Sequence, residues 1–134
     1  MFRILQIDDQ DSILMLVERL LTSRPGFESL SAENGRDGLA LATAHHPDLI
    51  LLDVGMPEMG GEEVLARLKA DPGTADIPVM ILSGSGHDEM IEFMLDHGAA
   101  GYLPKPFTAQ ALYAVVDAFQ HAAQPLASRA SSAA

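Results

Sequence analysis

The chain has 134 residues, 48% of them hydrophobic and 20% charged, with a formal net charge of -11 and no cysteine. That length suits one folded domain and leaves little room for a second, and the hydrophobic share argues against a disordered chain. The acidity argues against a nucleic-acid or anionic-membrane surface, which needs basic groups to displace counterions, and the missing thiols exclude disulfides, a thiolate nucleophile and zinc–thiolate sites.

The elements follow one another in a regular order. Phe2 to Ile7 predicts a strand that stops at Asp8-Asp9. Ser12 to Leu21 predicts a helix, with Ile13, Leu14, Leu16, Val17, Leu20 and Leu21 at helical spacing and Arg24-Pro25-Gly26 ending it. Phe27 to Ser31 reads as a second strand. Asn34-Gly35 turns into a helix carrying Leu39, Leu41 and Ala42, which ends at His45-His46-Pro47. Gly38 inside that helix should cost about 1 kcal/mol relative to alanine. Leu49 to Leu52 is wholly apolar, as a central parallel strand buried on both faces requires. A loop from Met56 to Gly61 leads into a helix over Glu62 to Ala70. Pro78 to Leu82 is the fourth strand, Asp88 to His97 the fourth helix, and Ala100 to Leu103 the fifth strand. Leu112, Val115, Val116 and Phe119 form the buried stripe of a last helix.

Strand and helix alternating five times imply an α/β fold, a doubly wound parallel sheet with helices on both faces. Residues 1–122 make up this domain. The Ala- and Ser-rich tail over 123–134, with Gln124-Pro125-Leu126-Ala127-Ser128, suits a frayed helix end or a linker. No apolar run is membrane-length and the start of the chain holds no signal-peptide core, so a cytoplasmic location is expected.

In open parallel sheets, ligands bind outside the carboxyl ends of the strands. The first strand delivers Asp8 and Asp9 there, the third Asp53 and the fourth Ser83, while the fifth leads through Tyr102 to Lys105. Clustered carboxylates raise one another's pKa unless a cation intervenes, and this oxygen-only set suits a hard ion such as magnesium. Lys105 would balance negative charge and Ser83 would hydrogen-bond a phosphoryl oxygen. Asp53 then becomes a candidate nucleophile, able to form an acyl phosphate.

Together these residues resemble the response-regulator receiver domains of two-component signalling, whose fold is flavodoxin-like with strand order 2-1-3-4-5. The matching pieces are Asp8-Asp9, then Pro47-Asp48-Leu49-Ile50-Leu51-Leu52-Asp53 with Met56-Pro57, then Ser83, and last Gly98-Ala99 with Tyr102-Leu103-Pro104-Lys105-Pro106-Phe107. The resemblance runs from about Arg3 to Phe119. It implies that a histidine kinase or a histidine phosphotransfer protein exchanges a phosphoryl group with Asp53. It also implies magnesium bound by Asp9 directly, by Asp8 through water, by Asp53 and by the backbone carbonyl of Gly55. Ser83 and Tyr102 would form a switch pair, and a cis bond is common at the position of Lys105-Pro106. The chain departs from the family at Gly55, small where a longer side chain often gates water access, at Gly84, where alanine is frequent, and at Gly38, which replaces a common helix alanine.

Other features have plainer readings. Asp8 and Asp9 taken alone would be helix N-caps. Ser83-Gly84-Ser85-Gly86 lacks the lysine and spacing of a P-loop and reads as a flexible turn. His45, His46, His87, His97 and His121 show no metal-ligand spacing, and His45-His46 suits the carboxyl end of a helix. Met90, Ile91, Phe93, Met94 and Leu95 are more apolar than one stripe can hide, and Tyr113, Ala114 and Ala118 are uncharged on the last helix. A docking or homodimer surface across the last two helices is therefore expected. A phosphatase-like enzyme with an aspartyl phosphate is disfavoured because Gly55 stands where its second acid would be. A flavin protein is disfavoured by two acids at the end of the first strand, and a never-phosphorylated module by the intact acidic trio with Ser83 and Lys105.

Overall fold

The structure is a computed structural model that describes residues 1–84 and 86–123. Five strands, β1 (Phe2–Ile7), β2 (Phe27–Ala32), β3 (Leu49–Asp53), β4 (Val79–Ser83) and β5 (Gly101–Pro104), alternate with α1 (Asp11–Thr22), α2 (Gly35–His45), α3 (Gly61–Ala70), α4 (Asp88–Asp96) and α5 (Ala109–Ala123). All neighbouring strands are parallel, in the order β2-β1-β3-β4-β5. This is the expected flavodoxin-like topology, and each element lies within a residue or two of its expected bounds. Gln120 to Ala123 continue α5. The tail over 124–134 and Ser85 of the Ser83–Gly86 turn lie outside the described residues.

The central strands explain why their sequences are so apolar. Every residue of β3 and of β4 is buried. Alternate side chains of β3 enter opposite layers: Ile50 and Leu52 join α2, α3 and α4 through Ala42, Val64, Leu65, Leu68 and Met94. Leu49 and Leu51 join α1 and α5 through Val17, Leu21, Leu112 and Val116. Burying one such side chain contributes roughly 1.5–3 kcal/mol, so two helical layers are needed to cover the sheet.

Local signals end the helices as expected. The Asn34 side chain accepts from the Asp37 N–H at 2.8 Å to cap α2. His46 closes that helix in the left-handed conformation at φ 43°, its N–H donating to the Ala42 carbonyl. Asp8 and Asp9 do not cap α1, because the cap residue is Gln10, which makes no side-chain cap bond.

Gly38 is where helix propensity misleads. A methyl group there would stand 2.5 Å from Ile7 Cδ1 and 2.8 Å from Ile7 Cγ1, and Ile7 is fully buried with nowhere to go. Gly38→Ala gains about 1 kcal/mol of helix propensity and loses roughly 1–3 kcal/mol to overpacking, toward the upper end because three Ile7 carbons lie within 3.1 Å. The expected result is a net loss of stability in chemical denaturation; a gain would show that Ile7 repacks.

Two expectations about the last helices divide. Ile91 and Met94 turn inward while Phe93 and Leu95 remain 49% and 37% exposed, as their excess over one stripe required. Tyr113 is half-buried: its hydroxyl donates to the Leu20 carbonyl at 2.8 Å and the Arg24 guanidinium lies 4.5 Å from its ring centroid. These contacts tie α5 to the end of α1.

Candidate functional site

Strand register assembles the site. Ile7 of β1 lies beside Leu52 of β3, so Asp8 and Asp53, the residues that follow, come out at the same edge. Asp53 in turn lies beside Leu82 and Ser83 beside Pro104, which carries Lys105 to that edge as well. The Lys105 N–H donates to the Ser83 carbonyl at 2.7 Å and fixes the exit of β5. The sheet order reverses between β1 and β3, where a ligand crevice is expected in this class of fold.

Carboxylate oxygens of Asp8, Asp9 and Asp53 lie within 4.8 Å of one another, with Asp8 and Asp53 buried and Asp9 exposed. The Lys105 ammonium bridges two of them, donating to Asp8 Oδ2 at 2.9 Å and to Asp53 Oδ1 at 3.0 Å. The second Asp8 oxygen accepts the Gln10 N–H at 3.0 Å. Burial pushes the Asp53 carboxyl above its ordinary value of 3.8; the Asp8 and Asp9 charges push the same way, and Lys105 only partly opposes them. Burial alone would lower the Lys105 amine, but its bonds to Asp8 and Asp53 outweigh this and raise it above 10.5.

Three acceptor-only carboxylates against one ammonium leave the cluster with excess negative charge. The donor set therefore fits a metal cation, and its all-oxygen chemistry fits a hard one.

Of the remaining expected residues, Ser83 ends β4 and is buried. Its Oγ lies 3.2 Å from the Gly84 carbonyl and 3.1 Å from His87 Nδ1. Gly55 is exposed on the loop after β3, at the rim of the hollow that Asp9, Asp53 and Lys105 also line. Tyr102 sits on β5 beside Ile81, 48% exposed. Among the described residues Ser83 Oγ and the Tyr102 hydroxyl share no hydrogen bond. The peptide bond between Lys105 and Pro106 is cis.

His87 also lines the hollow, and sequence reasoning passed it over. The available signal was its place four residues after Ser83, across two glycines.

Residues 4–117 match the response regulator receiver domain family. The chain is 42% identical over 116 residues to "DNA-binding dual master transcriptional regulator RpaA" of Synechocystis, covering 87% of this chain and 48% of that protein. It is 34% identical to "Protein PilH" of Pseudomonas aeruginosa over 88% of this chain and 97% of that one. The chemotaxis protein CheY4 of Vibrio cholerae superposes with a TM-score of 0.82 at 30% identity, covering 89% of this chain and 98% of that one. The chain thus spans about half the length of several of the relatives it matches and nearly all of others. Among the described residues no helix is long and apolar enough to cross a membrane. With its family match, its five-stranded parallel sheet and its acidic pocket, the chain belongs to the response regulator receiver domains, signalling modules of two-component systems.

Proposed function

We propose that Asp53 accepts a phosphoryl group from a histidine kinase or a histidine phosphotransfer protein, and that magnesium is the ion at this site. The observation that carries this reading is the Lys105 ammonium lying between Asp8 and Asp53 within a cluster of three carboxylates. One Asp53 oxygen forms the new bond to phosphorus while the bond to the donor imidazole nitrogen breaks, its electron pair returning to the ring. No general base is needed, because ionised Asp53 attacks as it stands. Asp8, Asp9, Asp53 and the Gly55 carbonyl would hold magnesium, which when bound offsets the negative charge brought together by the carboxylates and the phosphoryl oxygens. Lys105 and Ser83 would then bind phosphoryl oxygens, Ser83 leaving its present partners and Tyr102 moving in behind it.

The exposed Phe93, Leu95 and Tyr102 side chains, with Ala114 and Ala118 on α5, are the surface we assign to a downstream protein or a second copy of the chain. If so, Phe93→Glu weakens partner binding or self-association and leaves phosphorylation intact; loss of neither would remove Phe93 from that surface.

Incubation with magnesium and acetyl phosphate tests the central reading. Intact-mass measurement should find a single phosphoryl group per chain, absent when the metal is chelated before the donor is added and absent in Asp53→Asn. Label that persists in Asp53→Asn would overturn it.

A further inference from the structure

The hollow over Asp53 is open on one side because two glycines stand there. A methyl group at Gly84 would meet nothing within 4 Å, and at Gly55 it would meet only the His87 ring, 3.5 Å from Cε1 and 3.8 Å from Nε2. His87 is therefore the side chain beside the space that Gly55 leaves, while the space at Gly84 stays open. The residue is held at two points, one on the ring and one on the backbone. Ser83 Oγ lies 3.1 Å from Nδ1, and the His87 carbonyl accepts the Ile91 N–H at 2.9 Å, which ties the residue to the first turn of α4.

An acyl phosphate on Asp53 is lost when water attacks it. The water oxygen bonds to phosphorus, the bond from phosphorus to the Asp53 oxygen breaks, its electron pair stays on the carboxylate, and inorganic phosphate and a proton leave to solvent. The rate depends on how readily water occupies the mouth of the hollow, and a side chain that fills the mouth slows it. An imidazole there could act in the opposite sense, taking a proton from the attacking water. The two roles predict opposite signs for its removal. The geometry favours cover: the ring lies in van der Waals reach of the bare Gly55 position, and the backbone tie to α4 keeps the residue there when Ser83 turns to the phosphoryl group.

We infer that His87 covers the Gly55 side of the hollow and lengthens the life of a phosphoryl group on Asp53. The inference rests on Asp53 being the phosphoacceptor.

The full chain is loaded with acetyl phosphate and magnesium, the donor is removed by desalting, and loss of label is followed by intact mass. His87→Ala should lose its label about threefold to tenfold faster than the unsubstituted chain. His87→Phe, which refills the space without a ring nitrogen, should restore a lifetime close to the original. An unchanged or slower decay in His87→Ala would overturn the inference, as would a His87→Phe protein that decays as fast as His87→Ala. Failure to label the unsubstituted chain would instead remove the phosphoacceptor reading itself.

Discussion

Lys105→Ala should slow phosphorylation of Asp53 by about a hundredfold or more and destabilise the resting protein at neutral pH. The rate effect follows from removing a preorganised positive charge from a transfer whose catalysis is positioning and charge stabilisation; losing one such group typically costs about 10²–10³ in rate. The stability effect follows from what stays behind. Lys105 holds Asp8 Oδ2 and Asp53 Oδ1, whose side chains are 1% and 10% exposed. Removing one partner of a fully buried pair costs roughly 3–5 kcal/mol. Here the hollow opens to water, and about 2 kcal/mol is the better expectation.

The amine of Lys105 is raised above 10.5 in the folded chain, so its contribution is fully present below that value and fades as pH rises through the folded one. Asp53 is raised above 3.8, chiefly by burial, so the folded chain holds that proton more tightly and ionisation of Asp53 opposes folding. Its ionisation is what makes Lys105 matter. The stability gap between the unsubstituted chain and Lys105→Ala should be wide near neutrality and should narrow as acid protonates Asp53, on approach to its raised folded value from above. Magnesium should also narrow it, by supplying positive charge to the same oxygens. Thermal unfolding from neutral to acid pH is the measurement, and a gap independent of both pH and magnesium would show that Lys105 acts through packing of its stem.

What the sequence made legible, and what it hid, divides along physical lines. Leu49 to Leu52 and Val79 to Leu82 could be placed because burial on both faces leaves no room for polar residues, and that constraint is local. Asp8, Asp9, Asp53 and Lys105 could be placed because parallel strands present their carboxyl ends at one edge, so residues far apart in the chain meet by topology. The contacts of Tyr113 could not, since its partners Leu20 and Arg24 are some ninety residues away. Gly38 failed for the same reason: propensity treats the helix alone, and the penalty comes from Ile7 on another element. His87 had only a spacing from Ser83 to recommend it, and spacing across a glycine turn does not tell where a ring points.

Gly61 was the least visible of these positions and should have the largest effect on stability. It reads as the end of a loop, yet it is the first residue of α3 and is buried. A methyl group there would stand 2.6 Å from the Asp53 carbonyl oxygen and 3.0 Å from Val54 Cα. Both obstacles are backbone, so neither can rotate aside as a side chain would. The Gly61 N–H also donates to the Val54 carbonyl at 3.1 Å, which holds the start of the helix against the end of β3. Gly61→Ala must therefore push α3 away from the sheet or move Asp53 and Val54. The first opens the layer containing Val64, Leu65 and Leu68; the second displaces the proposed phosphoacceptor.

Overpacking in a core usually costs roughly 1–3 kcal/mol, and a clash with backbone belongs at or beyond the upper end. A misplacement of about 1 Å at a reacting group can cost about a hundredfold in rate. Gly61→Ala should thus lower the denaturation midpoint by about 3 kcal/mol of stability, and the folded fraction should label slowly. Gly73→Ala is the control, because Gly73 is exposed and its methyl would come no nearer than 3.4 Å to the Asp71 side chain. If Gly61→Ala matched Gly73→Ala in both midpoint and labelling rate, the close approach of α3 to β3 would not be what holds Asp53 in place. If only the midpoint fell, the strain would be absorbed by α3, and the end of β3 would be the stiffer of the two elements.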